Sequence, residues 1–239
     1  MDPRIDQITQ GLKEFFEKAG FTKAVVGLSG GVDSALTAKF GVLALGKENV
    51  TAILMPNDGM SSDHSLTDAK TYAEELGIEY YIVPIKDFVA RYRDLPWEEN
   101  EEAHMNVQAR IRATILYHYA NAHRALVLGT GNKTEELLGY FTKYGDGAVD
   151  MLPIGSLYKT DVWEIGRELG LPETILTKAP SAELKEGHTD EDEIGMSYVE
   201  MDEILKKYEE GLPAETENEQ KIYTRIAQNT HKNEMPKVI

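Results

Sequence analysis

Short, continuous apolar runs alternate along the chain with longer stretches whose apolar residues recur every three or four positions. Ile5, Ile8, Leu12, Phe15, Phe16 and Ala19 fall at helical spacing, and Gly20 supplies a stop. Ala24-Val25-Val26-Gly27-Leu28 lacks polar alternation, the pattern of a strand buried on both faces. A Gly/Ser turn follows, then a helical pattern from about Ser34 to Leu45. Val50-Thr51-Ala52-Ile53-Leu54 reads as a second strand, ended by Met55-Pro56-Asn57-Asp58-Gly59. Leu66, Ala69, Tyr72, Ala73 and Leu76 make the face of another helix, closed by Gly77, and Tyr80-Tyr81-Ile82-Val83 is a third strand. After a polar loop from Leu95 to Glu102, residues Val107, Ile111, Ile115 and Tyr119 mark a long helix over Glu102 to His123, and Ala125-Leu126-Val127-Leu128 is a fourth strand.

This order predicts an α/β fold, a doubly wound parallel sheet flanked by helices. No internal repeat or low-complexity segment interrupts it. Beyond Ala179 the chain turns polar; Glu183 to Glu193 carries Gly187 among several acids and offers no core face. Helices over about Met196 to Tyr208 and Glu217 to His231 follow. The expectation is a single domain over residues 1–239 with a mobile loop near 183–193.

Composition narrows the function. Against 25 Lys and Arg stand 41 Asp and Glu, a net charge of −16, which argues against a general nucleic-acid binder. The absence of cysteine removes disulfides, iron–sulfur clusters, thiolate zinc sites and a Cys nucleophile. No apolar run approaches the roughly 18 residues of a membrane span. Met1-Asp2-Pro3-Arg4 lacks the apolar core of a signal peptide. A soluble, cytoplasmic chain with neither membrane nor nucleic-acid partner is expected.

The candidate chemistry begins between the first strand and its helix, at Leu28-Ser29-Gly30-Gly31-Val32-Asp33-Ser34. In parallel sheets, ligands bind at the carboxyl ends of strands, beside helix N-termini. Gly30 and Gly31 let backbone N–H groups turn toward an anion; Ser29 and Ser34 add hydroxyls, and the helix dipole favours phosphate. A carboxylate at Asp33 beside a phosphate calls for a cation between them, and Mg²⁺ suits that place. The glycine spacing matches neither the Walker A loop nor the dinucleotide fingerprint, which disfavours hydride transfer.

After the fourth strand comes Gly129-Thr130-Gly131-Asn132-Lys133-Thr134-Glu135-Glu136. Thr130 is placed for a nucleotide contact. Glu135 is either a second carboxylate on Mg²⁺ or an acid on the first turn of a helix capped by Thr134. Further on, Lys159 lies just inside a helix start, where the helix is itself positive; a nearby anion explains a lysine there.

Ser-Gly-Gly-Val-Asp-Ser resembles the pyrophosphate loop of the N-type ATP pyrophosphatases. Joined to Gly-Thr-Gly-Asn-Lys-Thr-Glu, Thr-Lys-Tyr-Gly-Asp-Gly, Asp-x-x-Pro-Ile-Gly and Tyr-Lys-Thr, it is similar to the ammonia-dependent NAD synthetases over nearly the whole chain. That resemblance implies an adenine-nucleotide alpha-hydrolase-like fold and a symmetric homodimer. The implied reaction is ATP-dependent amidation of nicotinic acid adenine dinucleotide (deamido-NAD) by ammonia through an adenylated carboxylate. It also implies that Gly27, Leu28, Ser29, Gly30, Gly31, Val32, Asp33, Ser34, Thr130, Lys159 and Ser181 contact ATP, with Asp33 and Glu135 on Mg²⁺. Arg110, Lys143, Asp150, His231 and Lys232 are implied to contact deamido-NAD, and Asp33 and Lys159 to serve catalysis.

Two polyanions on a chain of charge −16 need local compensation, and Arg110, Lys133, Lys143, Lys159 and Lys232, with Mg²⁺, are the candidates. Without a Cys for a glutaminase, nitrogen is expected as free ammonia or from another chain. The alternatives are the synthetase subunit of another pyrophosphatase, such as GMP synthetase, and a non-catalytic nucleotide-binding module. The second cluster argues against the first, and the carboxylates at Asp33 and Glu135 argue against the other.

Overall fold

The computed structural model describes residues 2–57, 63–180 and 189–238. Four parallel strands, β1 (Lys23–Gly27), β2 (Val50–Leu54), β3 (Glu79–Ile82) and β4 (Ala125–Leu128), lie in the order β3-β2-β1-β4. Successive side chains of a strand point to opposite faces, so Val25 and Val26 enter different cores. Val26, Ala52 and Leu54 pack against α1 (Pro3–Ala19), α2 (Val32–Leu45) and α3 (Asp63–Leu76). Val25, Ile53 and Val127 pack against α4 (Lys86–Tyr92) and α5 (Glu101–His123). Helices on both faces confirm the doubly wound sheet, and burial of β1 and β2 on both sides explains their unbroken apolar runs.

The chain continues as α6 (Lys133–Leu138), α7 (Lys159–Glu168), α8 (Glu173–Leu176), α9 (Asp190–Ile194), α10 (Tyr198–Glu209) and α11 (Glu217–Asn229). Leu138, Tyr198, Met201, Leu205 and Ile222 from α6, α10 and α11 form a third apolar cluster beside the sheet.

Several boundaries depart from the sequence pattern for local reasons. Helix α2 begins at Val32 because the Gly31 carbonyl accepts the first helical bond, from the Ala35 N–H. Helix α10 begins at Tyr198 because the Ser197 hydroxyl accepts from the Glu200 N–H as its cap. Helix α11 stops at Asn229, and Thr230–Lys232 tightens into a 3-10 turn. The polar stretch ending at Glu193 is not featureless: α9 occupies its last residues, with Asp190 and Ile194 buried. The expected loop residues 183–188 lie outside the described residues.

Candidate active site

The order β2-β1-β4 places the reversal of winding between β1 and β4, and the residues following these two strands converge there. At the first turn, Gly30 has φ +83, and a Cβ there would lie 2.4 Å from the Ser65 carbonyl oxygen at the start of α3. Glycine alone satisfies both conditions. Both serines hold the turn. The Ser29 N–H donates to Ser34 Oγ at 3.1 Å, the Ser34 hydroxyl donates to the Gly31 carbonyl at 3.0 Å, and the two hydroxyl oxygens are 3.0 Å apart. What the turn offers an anion is the positive N-terminus of α2, whose first amides have no carbonyl partner inside the helix.

Asp33, in the first turn of α2, faces two groups from the other side of the reversal. Lys159 Nζ lies 2.6 Å from Asp33 Oδ2 and 3.4 Å from Glu135 Oε1. Asn132 Nδ2 donates to Asp33 Oδ1 at 2.9 Å. Lys159 opens α7 and is 1% exposed, which excludes a solvated side chain and answers the question of its anion: two carboxylates hold it. The cap of α6 is Asn132, not Thr134. Asn132 accepts from the Glu135 N–H at 3.0 Å while Glu135 reaches back to the Asn132 N–H, a capping box. Glu135 is thus the first-turn acid of α6, and its carboxylate also faces Lys159.

Thr134 serves a different end. Its hydroxyl accepts from the Lys159 N–H at 3.0 Å and donates to Asp202 of α10 at 2.5 Å, and Asp202 also accepts from the Thr160 N–H at 2.9 Å. A buried carboxylate on α10 thus closes the N-terminus of α7 and fixes where Lys159 starts. Burial disfavours the charge on Lys159, but Asp33 and Glu135 outweigh it and hold the ammonium above its ordinary pKa. Burial drives Glu135 the other way, well above the carboxylate range, with the Lys159 ammonium opposing it. Asp190 completes the surroundings: it accepts from the Tyr198 hydroxyl at 2.9 Å and the Tyr140 hydroxyl at 3.3 Å, and burial raises its pKa. The Tyr198 ring lies 4.9 Å from Lys159 Nζ.

Asp33, Glu135, Tyr140, Lys159 and Asp190 line a cavity of about 710 Å³ that also receives Gly27, Leu28, Ser29, Gly31, Val32, Ser34 and Thr130. Gly30 backs the turn against α3 instead of lining it. Ser181 lies outside the described residues. Of the residues implied for deamido-NAD, Lys232 reaches the cavity, donating to the carbonyls of Gly139 and Phe141 at 2.7 and 3.0 Å. Arg110, Lys143 and His231 cluster outside it: Arg110 donates to the Lys143 carbonyl at 3.3 Å, and Lys143 Nζ donates to the His231 carbonyl. Asp150 stands apart, accepting from the Val127 N–H at 2.8 Å and the Tyr117 hydroxyl at 3.2 Å. Lys133, also expected as a compensator, pairs with Glu209 at 2.6 Å and does not line the cavity.

Sequence reasoning missed Asn132, Lys178, Asp190, Asp202 and Arg225. The Asn132-x-x-Glu135 spacing is a capping-box signal that reveals the first. Lys178, which donates to the Ser65 hydroxyl, carries no local signature, and neither do the others.

Among the described residues no three His, Asp or Glu side chains form a metal cluster. Asp33 and Glu135 nonetheless converge on one cation, the Lys159 ammonium. Two carboxylates completed by phosphate oxygens and water are a donor set that fits Mg²⁺.

Comparison with known proteins gives the family of the chain. Residues 4–236 match the NAD synthase family. A curated relative from Archaeoglobus fulgidus, named NH(3)-dependent NAD(+) synthetase, is 44% identical over 234 residues, spanning 98% of this chain and 95% of its own. The solved structure of an NMN synthetase from Francisella tularensis superposes with a TM-score of 0.88 at 34% identity, covering 99% of this chain and 97% of that one. An NH3-dependent NAD synthetase from Campylobacter jejuni, in complex with a nitrate ion, gives 0.85 at 33% identity with 100% of both chains covered. The chain belongs to the NAD synthase family.

Proposed function

We propose that this ligase converts deamido-NAD, ATP and ammonia into NAD, AMP and pyrophosphate, with Asp33, Glu135 and Lys159 at the centre of the reaction. The observation that carries this reading is the meeting of two carboxylates and a buried lysine at the mouth of a glycine turn, within a family whose relatives bear that activity in their names.

The chemistry requires activation, because a carboxylate attacked by ammonia would have to expel oxide. The nicotinate carboxylate oxygen attacks the α-phosphorus of ATP, and pyrophosphate leaves toward the Gly30-Gly31 turn and the N-terminus of α2. Ammonia then attacks the mixed anhydride, the amide forms, a proton is lost and AMP departs. Lys159, kept cationic by its surroundings, is placed to stabilise negative charge developing at the phosphates. Asp33 and Glu135 would hold Mg²⁺, which neutralises phosphate charge when bound. Asn132 and Asp202 keep the carboxylate and the lysine in register. The reading assigns contact with deamido-NAD in a homodimer to the Arg110, Lys143 and His231 cluster, to the separate Asp150 and to Lys232 in the cavity.

The test is a reaction with ATP, Mg²⁺, ammonium and deamido-NAD that follows NAD, AMP and pyrophosphate together. Equimolar appearance of all three is expected, with glutamine unable to replace ammonium. Because the Francisella neighbour is named for NMN, the mononucleotide acid is run in parallel, and its faster turnover would reassign the substrate. Asp33→Asn and Glu135→Gln are expected to remain folded and to need more Mg²⁺; full activity of both at limiting Mg²⁺ would remove the metal assignment.

A further inference from the structure

The cavity also receives a cation, Arg225, to which the reaction as described gives no role. Arg225 of α11 lines the cavity with its guanidinium 5.3 Å from the centre of the Tyr140 ring. Its Nε is buried and has no hydrogen-bond partner among the described residues. Burial, and then repulsion from Arg225, lowers the pKa of Lys232, with Asp146 and Glu102 opposing the shift. Neither cation makes an ion pair among the described residues: Lys232 is held by two backbone carbonyls and Arg225 by an aromatic face.

A buried guanidinium N–H left unpaired costs its desolvation, and Arg225 repels Lys232, a repulsion that Asp146 and Glu102 oppose. Both are relieved by an anion. The guanidinium lies against the Tyr140 ring and keeps N–H donors for that anion, the donors with which arginine binds carboxylate and phosphate oxygens. In the reading above the α2 N-terminus and Lys159 already serve ATP, so the anion is assigned to the second substrate.

We propose that Arg225, seconded by Lys232, is a binding residue for an anionic group, phosphate or carboxylate, of the acid that this enzyme amidates. The proposal rests on the reading of the reaction above and adds to it a residue that selects the acid without touching ATP.

Steady-state kinetics of the full-length Arg225→Gln and Arg225→Lys enzymes test it. Wild type run alongside must make NAD from deamido-NAD; failure there overturns the reaction, while a failure confined to the predicted variant behaviour overturns only the assignment to Arg225. For Arg225→Gln the KM for deamido-NAD is expected to rise by at least about tenfold, the loss typical of removing a charged hydrogen-bond partner, with the KM for ATP unchanged. Arg225→Lys, which keeps the charge and most of the packing, is expected to recover part of that loss. Binding of NAD, which carries the same phosphates but no carboxylate, identifies the anion. Equal weakening of NAD and deamido-NAD assigns a phosphate, and weakening of deamido-NAD alone assigns the carboxylate. An unchanged KM for deamido-NAD in both variants, or equal rises for ATP and deamido-NAD, overturns the proposal.

Discussion

At the scale of single residues, the site depends on atoms that have no freedom to move. The Ser65 carbonyl sits where a side chain on residue 30 would begin, at a φ that only glycine tolerates without strain. Gly30→Ala is therefore expected to displace the turn from α3, lowering the unfolding midpoint and weakening ATP binding together. Calorimetry and nucleotide titration of the same preparation check this, and a variant with wild-type values for both would refute it. Much at this scale was legible beforehand: the glycines, Asp33 and Glu135 announce themselves by type and position. Lys159 was legible as a lysine wanting an anion, but not that its anions are protein carboxylates, because that pairing joins residues 126 and 24 positions apart. Arg225 was invisible for a related reason. An arginine on an amphipathic helix reads as solvated until the fold shows what its face meets.

At the scale of elements, the helices carry their own start signals, and these act on stability independently of the chemistry. Helix α11 opens with a capping box in which the Thr216 hydroxyl accepts from the Glu219 N–H while Glu219 accepts from the Thr216 and Glu215 N–H groups and pairs with Lys207 at 2.6 Å. Thr216→Ala is expected to cost about 1 kcal/mol, measured by denaturant unfolding. The Lys207 hydrogen bond, then the two backbone N–H groups, hold the Glu219 carboxyl down at about 2. A depressed folded-state pKa gives stability that is complete above the unfolded value and lost as pH falls through the folded one. The stability gap between wild type and Glu219→Gln is thus expected to shrink between about pH 5 and pH 2 and to be steady above that window. A gap that did not change over that range would show that the carboxylate charge contributes nothing. The long elements were readable from period alone. Helices α4, α8 and α9 were not, because each is too short to repeat an apolar position more than once or twice.

At the scale of the whole molecule, the charge of −16 opposes the approach of ATP and deamido-NAD, and the cations that receive them are local and mostly engaged. Long-range steering is absent, so screening should not slow capture. With free Mg²⁺ fixed, kcat/KM for both substrates is expected to stay level or rise as salt increases, the opposite of an enzyme with a basic funnel. A fall comparable to that of such an enzyme would show that the cationic cavity dominates the distant field. The architecture was legible because a doubly wound sheet follows from the alternation of strand and helix. The strand order was not, since the sequence of elements leaves open on which side of β1 the fourth strand docks.

That docking has a consequence for how the enzyme comes into being. Asp33 precedes Asn132 by 99 positions and Lys159 by 126, and they meet only after β4 has paired with β1 on the edge opposite β2. A nascent chain can therefore complete β1, β2 and β3 with their helices before Asp33 has met Asn132 or Lys159. Contacts of such long sequence separation carry a large loop-closure entropy. If the proposed function holds, turnover reports the pairing of β4 with β1, and a molecule without that pairing holds the Ser29–Ser34 turn but not the groups that face Asp33.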